Sequence, residues 1–315
     1  MATYQTYTAI GQREDLSDVI YNISPTDTPF MSSVGKTKAT AVYHEWQTDS
    51  LAAASLSNYA VEGATASDAT MSPTTRVGNR TQIAQKTVKI SGTLQAVDKA
   101  GRKSEKAYNL AKASAEIKRD METTLLSNQI ASNGDSTTAR KLGGLQAWLS
   151  TNGDFGTDGV AGSGGTTART NGTNRTFTEA MLQSVVKSVY TAGGNPKILM
   201  VTPTHKQTVS SFAGIAAQRY MAPSNAPTTI IGAADVYLSD FGTLSVVPSR
   251  FMNSTNSADD CAFVLDPDMA AVAYLRPFQT NELAVTGDNE STQLLAEFTL
   301  EVKNEAAHGI VADLS

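Results

Sequence analysis

The spacing of hydrophobic positions changes character several times along this chain. Over Ala41–Thr48, AVYHEWQT, the residues Val42, His44 and Trp46 alternate with Tyr43, Glu45 and Gln47, the period of a half-buried strand. A complementary strand is expected in RTQIAQKTVKIS, where Ile83, Val88 and Ile90 are the apolar members. Between the two lie small and polar residues, LAAASLSNYAVEGATASDATMSPTT, with few anchors for a core. An isolated two-stranded excursion is marginal in water, so its ordering is expected to come from a neighbouring chain. Before it, residues 1–40 read as mostly extended, with one short helical possibility over Asp15–Tyr21. Pro25 and Pro29 push the residues before them toward extended backbone. Phe30 and Met31 then stand in ISPTDTPFMSSVGK as a bulky apolar pair in search of a partner.

From Thr93 the period becomes helical. TLQAVDKA predicts a short helix stopped at Gly101, and SEKAYNLAKASAEIKRDMETTLLSNQIAS predicts a long one. In the second, Ala107, Leu110, Ser114, Ile117, Met121 and Leu125 recur at three or four residues as one stripe. Ser104 is a good N-cap, Glu105 suits the helix dipole, and Asn133-Gly134 is the expected end. Roughly 28 residues at 1.5 Å each make about 42 Å, long enough for a spine crossing a subunit. Its charged face carries Lys112, Glu116, Lys118, Arg119 and Asp120.

RKLGGLQAWLS follows, with Leu145 and Trp148 facing a core. Residues 151–176 are rich in Gly, Thr and Asn and predict an exposed or poorly ordered loop. Next, FTEAMLQSVVKSVYTAGG, KILMVTP and THKQTVSSFAGI read helix, strand, helix, the last capped by Thr202 or Thr204 with Pro203 in its first turn. DVYLSD, LSVVPS and CAFVLD add strands to this α/β unit, and AAVAYLRP, NELAVTGD and LLAEFTLEVKNEAAHGIVADL return as strands, with GDNES a hairpin turn.

Composition narrows the chemistry. Across 315 residues only 17% are charged and the net charge is -5, which leaves no electrostatic footprint for gripping nucleic acid. One cysteine, Cys261, excludes an intrachain disulfide and suits assembly in a reducing cytoplasm. The N-terminus lacks the pattern of a signal peptide, and no run approaches the roughly 20 apolar residues of a membrane span. The three histidines, His44, His205 and His308, share no ligand spacing. GVAGSGGTT lacks the Gly-Lys-Ser/Thr of a phosphate loop and reads as loop. Asp266 and Asp268, with Asp259 nearby, read as a turn before a cation site. No catalytic, cofactor-binding or metal-ligating residue is nominated, and the expectation is a protein that is not an enzyme.

Four stretches are more specific than these patterns. SPTDTPFMSSVGKTKA, VKISGTLQAVDKAGRKSEKAYNLAKASAEIKRDMETTLL, RKLGGLQAWL and NPKILMVTPTHKQTVSSF resemble the SU10-like branch of the major capsid proteins of tailed bacteriophages, over most of the chain. The resemblance implies an α+β fold of the HK97 type. It implies an N-arm (1–40), an E-loop hairpin (41–92) and a P-domain spine-helix region (93–150). The Gly/Thr-rich surface loop (151–176), an A-domain (177–269) and returning P-domain strands (270–315) complete the division. It further implies hexamers and pentamers of an icosahedral shell enclosing double-stranded DNA without sequence-specific contacts, with a separate scaffolding protein and a portal as partners and no membrane. The location implied is the virion, after assembly in the host bacterial cytoplasm. Phe30, Met31, Trp46, Arg119 and Glu122 are the expected inter-subunit contacts. Gly92, Gly101 and Gly143-Gly144 are placed as hinges. The covalent crosslink of the fold's prototype is not carried over, because no motif marks its partners. The alternatives are an accessory virion protein, decoration or tail tube, and a metal-dependent hydrolase using Asp259, Asp266, Asp268 and His205.

Overall fold

The computed structural model describes residues 27–66, 68–69, 71–97, 104–212, 235–252 and 261–315. Asp15–Tyr21, Gly101 and Asp259 lie outside them. The first element is a short helix, α1 (Pro29–Ser33), rather than extended chain. Pro29 opens it, where the missing N–H costs no bond. Strand β1 (Gly35–Lys38) then pairs in parallel with β10 (Ala270–Glu282).

The excursion is built from β2 (Tyr43–Thr48) and β3 (Thr75–Arg80), which pair antiparallel. This corrects the expected pairing with residues 82–91. Those form β4 (Gln82–Ser91), which lies antiparallel against β11 (Asn289–Val302). Alternation identifies the buried face of a strand but not its neighbour: Val88 and Ile90 face inward, whereas Ile83 lies on the other face, 45% exposed. The resulting four-stranded sheet runs β1-β10-β11-β4.

Helix α2 (Gly92–Ala96) is shorter than expected. The spine, α3 (Glu105–Leu126), spans 22 residues, with the Ser104 side chain accepting from Ala107 N as its cap. It stops before the expected Asn133-Gly134 and measures about 33 Å. Its inward face is Ala113, Ile117, Met121 and Leu125, one every fourth residue, with Glu122 and Leu126 beside them. These meet Phe30, Val34, Val272, Phe298 and Leu300 in one core. On the outer side, Lys86 of β4 reaches Glu116 at 2.9 Å and Asp120 at 3.3 Å, tying the helix to the sheet edge.

A second sheet runs β5-β12-β9-β6-β8-β7, from β5 (Gly153–Asp154), β6 (Ile198–Val201), β7 (Val236–Ser239), β8 (Gly242–Pro248), β9 (Ala262–Leu265) and β12 (Gly309–Val311). Helix α4 (Leu145–Trp148) precedes it, while α5 (Glu179–Thr191) and α6 (Pro203–Ser210) pack with it around Leu182, Val185, Leu199, Val201 and Val264. The Thr202 side chain caps α6 by accepting from His205 N, as Pro203 suggested. The final strand, β12, joins this second sheet rather than the first.

Residues 151–176 form a largely exposed loop, as their composition predicts, but one pinned to the body at a few buried points. Arg169 lies buried, with Nη1 2.7 Å from Asp313 Oδ1, and Asp313 also accepts from Gly156 N at 2.9 Å. Asn128 and Arg169 exchange two bonds through the Asn128 amide, at 2.7 and 2.8 Å. Polar groups, satisfied internally, order a segment that has few apolar ones. Gly143 and Gly144 are close-contact positions rather than hinges. A Cβ at Gly143 would stand 2.5 Å from Gly165 O, and one at Gly144 2.2 Å from Ser127 O.

Candidate functional site: assembly surfaces

Three of the five nominated contact residues come together, but inside the subunit. Phe30 is fully enclosed and Met31 nearly so, both in the core formed with Ile117 and Met121. Glu122, also fully buried, grips the same turn: Oε1 accepts from Phe30 N at 2.6 Å and Oε2 from Met31 N at 2.9 Å. The first N–H groups of a helix have no internal partner, so a carboxylate from another element can satisfy two at once. Burial pushes the Glu122 carboxyl up to about 7, with the two N–H donors pulling it back down. The expectation that Phe30, Met31 and Glu122 face a neighbour is therefore corrected: in this subunit they fasten α1 to the spine. The spacing of Ile117, Met121 and Leu125 on the spine was legible; Glu122 falls one residue after Met121 and was indistinguishable by pattern from the charged face.

Trp46 is half-buried at the base of the excursion, its ring 5.4 Å from Trp148 and 5.7 Å from His44. Arg119, also half-buried, lies over the Phe251 ring at 5.5 Å. Both retain surface for a further contact while already held within the chain.

Several polar residues that sequence reasoning missed set the angle of the excursion. Asn79 is wholly buried, donating from Nδ2 to Gly143 O at 3.0 Å and Leu300 O at 2.9 Å while Oδ1 accepts from Gly143 N at 2.8 Å. Glu301 accepts from Thr37 Oγ1 at 2.7 Å and stands 3.1 Å from His44 Nε2. Buried Glu297 accepts from Thr81 Oγ1 and Arg276 Nε, each at 2.8 Å, and from Arg140 Nη2. Thr37, His44, Asn79 and Thr81 come from the arm and the hairpin, and their partners from the four-stranded sheet and the loop before α4. No periodicity marks such pairs, because each forms only once distant segments meet.

Beyond this base, the excursion carries Leu51, Leu56, Tyr59, Val61 and Met71, each between 80 and 103% exposed. Five large apolar side chains in water on one segment are unusual for a monomer surface and mark it as a contact element.

The residues considered for a metal are engaged separately. The Asp266 side chain accepts from Asp268 N in a turn, Asp268 pairs with Lys197, and His205 packs edge-on against Phe177. Among the described residues no group of three or more His, Cys, Asp or Glu side chains is placed to hold an ion, and no helix is long and apolar enough to cross a membrane.

An arm fastened to a long helix, a hairpin lifted off a four-stranded sheet and a second α/β layer together define a shell-forming subunit of the HK97 type. Solved structures share this fold. One titled "Cyanophage A-1(L) capsid asymmetric unit" superposes with a TM-score of 0.68 at 12% identity, over 96% of this chain and 97% of the other. One from Gordonia phage Cozz gives 0.64 at 13% identity, over 96% and 91%. The chain belongs to the SU10 major capsid protein family, whose model matches residues 2–315. A relative described as "Major capsid protein", from Escherichia phage Phieco32, is 28% identical over 98% of this chain and 96% of its own length. The protein is thus a phage major capsid protein and a component of the virion, and the accessory-protein alternative gives way to that membership.

Proposed function

We propose that copies of this chain close into hexamers and pentamers that tile an icosahedral head around double-stranded DNA. The observation that carries this reading, beyond family membership, is the excursion with five large hydrophobic residues that are 80–103% exposed and have no cover among the described residues. Contacts of this kind are heterologous, one surface of a copy meeting a different surface of the next, and such contacts generate rings when the rotation closes. The role is structural rather than catalytic, in keeping with the family.

The proposed division keeps an N-arm to residue 40 and an E-loop beginning at 41. The strand pairings support ending the E-loop at Arg80, since β4 belongs with the four-stranded sheet, and assigning β12 to the A-domain sheet rather than to the returning P-domain strands. A scaffolding protein and a portal complete the assembly. The net charge of -5 suits a container that encloses DNA without adhering to it. Electron microscopy of the expressed chain, alone and with its scaffold, tests the proposal. Closed shells or six-membered rings are expected; discrete monomers under every condition would overturn it.

A further inference from the structure

Asn-Gly pairs occur three times in this chain, at Asn133-Gly134, Asn152-Gly153 and Asn171-Gly172. In such a pair the second residue has no side chain to shield its backbone nitrogen, which can close onto the asparagine Cγ as a succinimide. Closure requires an amide side chain that can turn and a backbone nitrogen that is not held. The fold denies this at two of the pairs. Asn152 is buried, and its Nδ2 donates to Ala306 O at 2.7 Å and to His308 O at 3.2 Å, which fixes the amide against the segment before β12. Asn171 is exposed, but Gly172 N donates to the buried Asp313 carboxylate. The chain on either side is tied as well, Thr170 N to Val160 O at 2.9 Å and Thr173 N to Thr157 O at 2.8 Å.

Asn133 has neither restraint. It is exposed, its side chain makes no hydrogen bond among the described residues, and Gly134 N reaches only Ser132 Oγ, at 3.4 Å, long for an N–H donor. What lies beneath this turn is tightly held. Gly134 has φ of 65°, and a Cβ there would stand 2.6 Å from Arg140 N. Arg140 in turn donates from Nε to Thr81 O at 2.6 Å and from Nη2 to buried Glu297, at the base of the excursion. We infer that Asn133 is a self-modifying site whose conversion slackens the Arg140 clamp. Gly134 N loses its proton and bonds to Asn133 Cγ, the Cγ–Nδ2 bond breaks, and ammonia leaves. Water then opens the succinimide at either carbonyl, giving aspartate or isoaspartate. The net exchange is water for ammonia, with nothing oxidised or reduced. Isoaspartate lengthens the main chain by a carbon, so the turn from Ser132 to Lys141 no longer holds Gly134 against Arg140.

Incubating the full-length subunit in warm, mildly alkaline buffer tests this by peptide mass, because trypsin separates the pairs into residues 120–140, 142–169 and 170–175, and fragment spectra distinguish Asn133 from Asn128. In the folded chain deamidation at Asn133 should run about tenfold or more ahead of the other two pairs, the rate equivalent of a hydrogen bond that must break first. In urea the three rates should converge. No mass gain at Asn133, equal rates in the folded chain, or the same ranking in urea would each overturn the assignment. Hydrogen exchange over residues 75–82 reads the clamp: it should quicken about fivefold once wild type is modified, but not in Asn133→Gln incubated alongside. Unchanged exchange in the modified wild type would refute the loosening. Neither readout requires shells, so failure here and failure of the capsid reading are separate results.

Discussion

Replacing Glu122 with glutamine keeps the size of the side chain and removes its charge, which isolates the fastening of α1 to the spine. In the native subunit both carboxylate oxygens accept a backbone N–H from the arm, in a site without solvent exposure. Burial raises the group from 4.5 to about 7, so the folded subunit binds a proton that the unfolded chain releases at lower pH. The stabilisation is therefore fully present below pH 4.5 and is lost as the pH rises through 7. At 1.36 kcal/mol per pH unit the gap corresponds to about 3 kcal/mol. Glutamine does not titrate, and its amide can accept only one of the two N–H groups. The other is left buried and unpaired, at a cost of about 1–3 kcal/mol. Urea unfolding of unassembled subunits should then find Glu122→Gln less stable than wild type by about 1–3 kcal/mol at pH 5, with the difference closing or reversing by pH 8 as the native carboxyl ionises. Parallel stability curves for the two proteins between pH 5 and 8 would refute the reasoning, as would equal stability at pH 5.

Other perturbations probe the interior and the shell separately. Phe30→Ala empties a fully enclosed site and should cost about 3–5 kcal/mol, lowering the yield of soluble subunit along with assembly; an unchanged denaturation midpoint would contradict its place in the core. Asp313→Asn leaves the buried Arg169 guanidinium without its countercharge, an expected loss of about 3–5 kcal/mol seen as a lower Tm, whereas the same substitution at exposed Asp240 should change little. Shells held by non-covalent contacts alone should give a single monomer band after boiling in SDS, and a ladder from the native protein would show a covalent link.

Legibility followed the range of the forces involved. The caps Ser104 and Thr202 were readable because the bonded atoms lie three residues from the capping side chain. The Asp266–Asp268 turn was readable for the same local reason, and the hairpin between β10 and β11 in part, since its connection is residues 283–288 and Asn289–Ser291 of GDNES already belong to β11. The end of the spine was not. Asn133-Gly134 is a sound stop signal, yet the helix finishes at Leu126 and Asn128 bonds across to Arg169, 41 residues away. For the Gly/Thr-rich stretch, composition rightly describes a largely solvated loop but not its anchors, the Arg169–Asp313 pair and the close approach of Gly143 to Gly165, which join it to the packed body.

The assembly residues divide in the same way. By itself the sequence determined an α+β subunit with a long amphipathic helix, a two-stranded excursion of mostly small and polar residues and a helix-strand-helix unit, because periodicity and capping act over a few residues. Only the tertiary structure decided that Phe30, Met31 and Glu122 look inward, that β3 rather than β4 completes the hairpin, and that β12 crosses to the second sheet. Each of those outcomes depends on which apolar face or buried N–H finds its partner after distant segments are brought together, a choice that amphipathic pattern constrains but does not make.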